Sequence, residues 1–63
     1  MLKIAIDAMG GDFGPEPIIE GLIAALKKNN NFTAIAVGKK NELLPLIPHY
    51  FLSRIEILDT DDV

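Results

Sequence analysis

The chain has 63 residues, 49% hydrophobic and 24% charged, enough for one small core and too few for a second domain. Nine acidic residues against six basic ones leave a net charge of −3, and no basic run exceeds Lys27-Lys28 or Lys39-Lys40, which argues against a nucleic-acid binder. Cys is absent, which removes disulfides and thiolate metal sites, and no apolar run nears the roughly 20 residues of a membrane span, so a soluble, cytoplasmic chain is expected.

The start does not read as an export signal, because Asp7 and the glycines after it interrupt the apolar stretch. Residues 2–6 alternate, with Leu2, Ile4 and Ile6 on one face and Lys3 and Ala5 on the other, and are expected to form a buried strand. The strand stops at Asp7-Ala8-Met9-Gly10-Gly11-Asp12-Phe13-Gly14, whose glycines permit a sharp turn, with positive φ expected at Gly10 or Gly11. Pro15 and Pro17 fall where a helix can begin, with Gly14 as its N-cap. Ile18, Ile19, Leu22, Ile23 and Leu26 then recur at helical spacing, between early Glu16 and Glu20 and late Lys27-Lys28, which predicts an amphipathic helix over 15–28.

Gly21 inside this helix is most easily explained by a close neighbouring backbone. Asn29-Asn30-Asn31 ends it, since asparagine tolerates the left-handed conformation of C-terminal caps. Residues 32–37 form a second, β-branched strand stopped by Gly38, and strand, helix and strand make a right-handed βαβ unit. A shorter helix is expected over 41–47, limited by Pro45 and Pro48, followed by a loop over 49–53 with Tyr50 and Phe51 against the sheet. Residues 54–58 alternate as a third strand. The fold class is therefore α/β, a βαβαβ half of a doubly wound, mainly parallel sheet. Two helices are too few to cover both faces of such a sheet, so residues 1–63 are expected to be the amino-terminal part of a single larger α/β domain.

The loop 7–15 lies at the carboxyl end of the first strand, where ligands bind in open α/β sheets. Exposed backbone N–H groups and a helix N-terminus suit an anion such as phosphate. The spacing matches neither the dinucleotide fingerprint, since Asp12 stands two positions after Gly10, nor the P-loop around Gly38-Lys39. A tight βα turn is the alternative. Asp7 and Asp12 bracket the loop; as a pair they would hold Mg²⁺ or act as acid and base, and otherwise Asp12 caps the helix and Asp7 accepts from loop amides. Asp59-Thr60-Asp61-Asp62 lacks the glycine and glutamate of a calcium loop and reads as a solvated turn. His49 and Ser53 have no triad partners nearby in sequence and read as loop residues.

Ile4-Ala5-Ile6-Asp7-Ala8-Met9-Gly10-Gly11-Asp12-Phe13-Gly14-Pro15 resembles the amino-terminal signature of the bacterial phosphate acyltransferases of phospholipid synthesis, the PlsX family. The resemblance is specific over about the first fifteen residues and looser beyond. It implies an isopropylmalate-dehydrogenase-like fold and a homodimeric, cytoplasmic, membrane-peripheral enzyme. Its implied reaction moves a fatty acyl group from acyl carrier protein to inorganic phosphate, giving acyl phosphate for a glycerol-phosphate acyltransferase. It places phosphate or substrate contact at Asp7, Gly10, Gly11 and Asp12, names no catalytic acid or base, and calls for no metal or cofactor; Phe13 stands where other members can have histidine, and its side chain is given no chemical role. Family members are several times longer, so this chain alone is expected to be inactive. The alternatives are a related phosphotransacetylase or dehydrogenase fragment, or a small non-catalytic α/β interaction module.

Overall fold

The computed structural model describes residues 2–60. Strand β1 (Leu2–Asp7) leads into helix α1 (Glu16–Lys28), strand β2 (Phe32–Gly38), a single-turn helix α2 (Lys40–Leu43), two 3₁₀ turns (Leu44–Leu46 and His49–Phe51) and strand β3 (Ile55–Asp59). The three strands form one parallel sheet in the order β1-β2-β3, with Leu2 beside Phe32 and Ala34 beside Ile55. This is the βαβαβ half-sheet that the periodicity predicts.

The register puts Leu2, Ile4 and Ile6 on the same face as Phe32, Ala34 and Ala36 and as Ile55 and Ile57. Both helical segments cover that face: Ile19, Leu22 and Leu26 of α1 and Leu43, Ile47 and Phe51 of the second crossover join Phe32, Ala34, Ala36 and Ile55 in one buried cluster. Small Ala34 and Ala36 on the central strand let the helices sit close, which is why every second residue of β2 is buried. The other face, carrying Lys3, Ala5, Thr33, Ile35, Val37, Glu56 and Leu58, has no helix over it among the described residues. The exposed Lys3–Glu56 ion pair, at 3.7 Å, spans it.

Several expectations are corrected. β1 is an edge strand of the described sheet rather than a buried one, with Leu2 65% and Ile4 39% exposed and only Ile6 of its apolar face packed against the core. Gly21 has no atom of a neighbouring element within 4 Å of where a Cβ would stand among the described residues, so no close backbone there explains it. Helix α1 ends through Asn29 in extended conformation (φ −140°), not through a left-handed cap. Asn29 Oδ1 accepts from the N–H of Asn31 at 2.9 Å, so the asparagine turns the chain through its side chain instead. The helix expected over 41–47 is α2 plus a 3₁₀ turn, since Pro45 lacks the donor that a continuing α-helix uses. Phe51 is buried as expected, whereas Tyr50 is 82% exposed. Of the turn Asp59-Thr60-Asp61-Asp62, the last two residues lie outside the described residues.

Candidate phosphate loop at the carboxyl edge of the sheet

The sheet's hydrogen bonding continues one step past Asp7, since the N–H of Ala8 donates to Val37 O at 2.9 Å and the Ala8 side chain is fully buried. Past this anchor the chain leaves the sheet. Asp7 Oδ1 accepts from the N–H of Met9 at 3.0 Å, an Asx turn that folds the strand end back over its own carboxylate. A Cβ at Gly10 would stand 3.0 Å from Asp7 Oδ2, so this curl suits a residue without a side chain. At Gly11 a Cβ would come within 3.2 Å of Ile18 Cδ1, which shows the loop lying against the first turn of α1.

The positive φ belongs to Gly14, at +80°, and to neither Gly10 nor Gly11. A proline follows it, and the residue before proline is kept out of the right-handed helical region, so the chain reverses there in the conformation that glycine alone adopts freely. The N-cap is accordingly Pro15 rather than Gly14. Gly14→Ala should therefore cost about 1–2 kcal/mol although its Cβ would meet open space. Urea denaturation should find Gly14→Asn less harmful, and equal stability of both variants to the parent would remove the strain argument.

Helix α1 carries no side-chain cap, so the capping role weighed for Asp12 is not taken up; Asp12 is exposed. The role weighed for Asp7, accepting from a loop amide, is observed. Pro17 has no N–H to offer, which leaves Glu16 and Ile18 as the donors at this helix end. In the loop itself, the N–H groups of Gly11, Asp12 and Phe13 donate no hydrogen bond among the described residues. Three consecutive exposed donors thus sit at the carboxyl end of β1, with Asp7 below them and Phe13, 88% exposed, beside them.

Other groups gather at this edge. The N–H of Lys40 donates to Asp59 Oδ1 at 3.3 Å, tying the start of α2 to the end of β3, and Lys39 pairs with Glu42 at 3.9 Å in solvent. His49 and Ser53 precede the amino end of β3, which in a parallel sheet is the edge remote from the loop. No three His, Cys, Asp or Glu side chains group to hold a metal among the described residues. What the loop can do is accept an anion on backbone donors. Met9 has no role foreseeable from its place in the chain. Its side chain lies over Gly38, and the only cue was a glycine ending the neighbouring strand.

Residues 2–63 match the sequence profile of the fatty acid synthesis protein family. The chain belongs to that family. It is 81% identical over its whole length to a phosphate acyltransferase of Aliarcobacter butzleri, 62% identical to one of Nitratiruptor sp. and 56% identical to one of Sulfurovum sp.. It spans 19% of the length of each of these relatives. No helix among the described residues is long and apolar enough to cross a membrane.

Proposed function

We propose that residues 1–63 are the amino-terminal part of a single larger α/β domain in an enzyme that transfers a fatty acyl group to inorganic phosphate. The names of the relatives support acyl transfer to phosphate over the phosphotransacetylase, dehydrogenase and interaction-module readings. Acyl carrier protein is then the acyl donor, and the acyl phosphate passes to a glycerol-phosphate acyltransferase. The homodimeric, cytoplasmic and membrane-peripheral state belongs to the same proposal. The loop carries the phosphate end of it: Gly10 and Gly11 keep side chains out of the approach, and the unpaired N–H groups of Gly11, Asp12 and Phe13 receive the anion. Asp7 holds the loop's shape through Met9 N–H, and Asp12 adds a negative charge at its rim.

The test uses the full-length Aliarcobacter butzleri relative with residues 1–63 of this chain in place of its own segment. Gly11→Ala should raise the KM for phosphate about tenfold, the equivalent of one charge-assisted hydrogen bond. Its stability should fall by less than about 1 kcal/mol, because φ at Gly11 is not positive and the flexible end of Ile18 can yield. Asp12→Asn should leave the phosphate KM equal or lower, by removing repulsion. If Gly11→Ala shifts only the melting temperature, the loop is a structural turn and phosphate binds elsewhere.

A further inference from the structure

We infer that Lys39 is the cation of the phosphate loop: its ammonium group leaves Glu42 and pairs with the anion held on the N–H groups of Gly11, Asp12 and Phe13. The inference rests on the reading of this loop as a phosphate site and adds to it a residue from the neighbouring strand.

The loop needs a counter-charge. Asp7 lies under it and Asp12 on its rim, and both carboxylates repel an anion placed on the loop's amides. Backbone donors carry only partial charges, so they do not offset two carboxylates and still attract a third anion strongly. Topology decides which of the chain's six basic residues can supply the rest. Lys27 and Lys28 close α1, and Arg54 precedes β3, which puts all three at the edge of the sheet where β2 and β3 begin. Arg54 is moreover committed to three carbonyls. Lys3 sits near the start of β1 and pairs with Glu56 across the open face. Lys39 and Lys40 remain, directly after the carboxyl end of β2.

Register separates these two. The Lys39 backbone is extended, at φ −80° and ψ 114°, so it continues the alternation of β2 on the side of Val37. Val37 is the register partner of Asp7, which sets Lys39 diagonally across from the strand end where the loop begins. Adjacent strands run about 5 Å apart, a gap that a lysine side chain spans. The loop also closes on this point, because Ala8 N–H bonds to Val37 O and the Met9 side chain lies over Gly38. Lys40, by contrast, opens α2 with its N–H on Asp59 Oδ1, which ties it to β3, on the far side of β2 from the loop. The Lys39 ammonium is loosely held where it stands: Glu42 Oε2 is 3.9 Å away, and the two side chains are 49% and 46% exposed. A pair so long and so solvated exchanges readily for an anion backed by fixed N–H donors.

Kinetics of the same full-length chimera with inorganic phosphate as the varied substrate test this. Lys39→Gln should raise the KM for phosphate about tenfold and leave the KM for the acyl donor and the melting temperature as in the parent. Lys39→Arg should keep the phosphate KM near the parent value, and Glu42→Gln, by freeing the ammonium, should lower it about twofold. Lys40→Gln and Lys28→Gln should each change it by less than about twofold, because their charges lie farther off and are screened. A phosphate KM unmoved by Lys39→Gln, where Gly11→Ala does raise it, would overturn the inference and leave the loop reading standing. Equal rises from Lys39→Gln and Lys40→Gln would make the effect a diffuse field of the sheet edge and overturn it too. If neither Gly11→Ala nor Lys39→Gln moves the phosphate KM, phosphate binds elsewhere and both readings fall. A lowered melting temperature with both KM values raised, unrescued by Lys39→Arg, would make Lys39 a structural residue and equally overturn the inference.

Discussion

Arg54→Ala is expected to destabilise the amino-terminal unit by about 3 kcal/mol, far more than the loss of an ordinary surface arginine. The guanidinium donates through Nη1 to Leu26 O at 2.8 Å and through Nη2 to Asn29 O at 2.7 Å and Phe32 O at 2.8 Å. One side chain thus closes carbonyls from the end of α1, the turn after it and the start of β2. The last carbonyls of a helix have no internal partner, and a cation beside them also complements the helix dipole. The root of the side chain is fixed as well, since Arg54 N–H donates to Phe51 O and Arg54 O accepts from Ala34 N–H, both at 2.9 Å. Little side-chain entropy then remains to be lost in aiming the fork. Arg54→Lys should recover only a minor part, because a single ammonium cannot reach three separate carbonyls in the fork geometry. The measurement is urea denaturation of the full-length chimera with hydrogen exchange at the last turn of α1. A loss below about 0.5 kcal/mol, or full rescue by lysine, would reduce Arg54 to a solvated surface charge.

Periodic features were legible in the residues and contacts distant in sequence were not. The helical spacing of Ile19, Leu22 and Leu26 and the alternation in residues 32–37 state which side faces the core, and the structure buries those residues. Pro15 and Pro17, at the N-cap and in the first turn of α1, mark its start to within one residue. Arg54, by contrast, read as the first residue of a strand, because its partners lie 22 to 28 residues away and nothing local marks them. The exposure of Leu2 and Ile4 has the same origin: alternation shows that a strand has an apolar face and not whether a helix covers it. At the loop, composition located the turn, yet the positive φ went to Gly14 rather than to Gly10 or Gly11, because three glycines so close share one compositional signal. The pairing of Asp7 with Met9 N–H was legible, since an Asx turn is local chemistry.

Gly38→Val separates strand propensity from packing, because the two predict opposite signs. Gly38 ends β2 as a strand residue, and valine is among the best strand formers, so propensity alone forecasts a gain of up to about 1 kcal/mol. Packing forecasts a loss. A Cβ at Gly38 would stand 2.8 Å from Met9 Cγ, 3.0 Å from Met9 Sδ and 3.0 Å from Leu43 Cδ1, so it presses on two side chains at once. Leu43 is fully buried and cannot retreat cheaply, and overpacking a closed site costs about 1–3 kcal/mol. We expect Gly38→Val to lose about 3 kcal/mol and Gly38→Ala about 1.5 kcal/mol, read by urea denaturation of the full-length chimera. Met9→Ala removes two of the three contacts, so the double variant Met9→Ala/Gly38→Ala should be more stable than the sum of the single losses by about 1 kcal/mol. Met9 is flanked by Ala8, anchored to Val37, and Gly10, curled over Asp7, so displacing it drags the loop. Gly38→Ala should therefore also raise the phosphate KM, and Met9→Ala in the same chain should bring it back toward the parent value. Strict additivity of the two losses, or a phosphate KM untouched by Gly38→Ala, would show that the end of β2 and the loop beside it are independent.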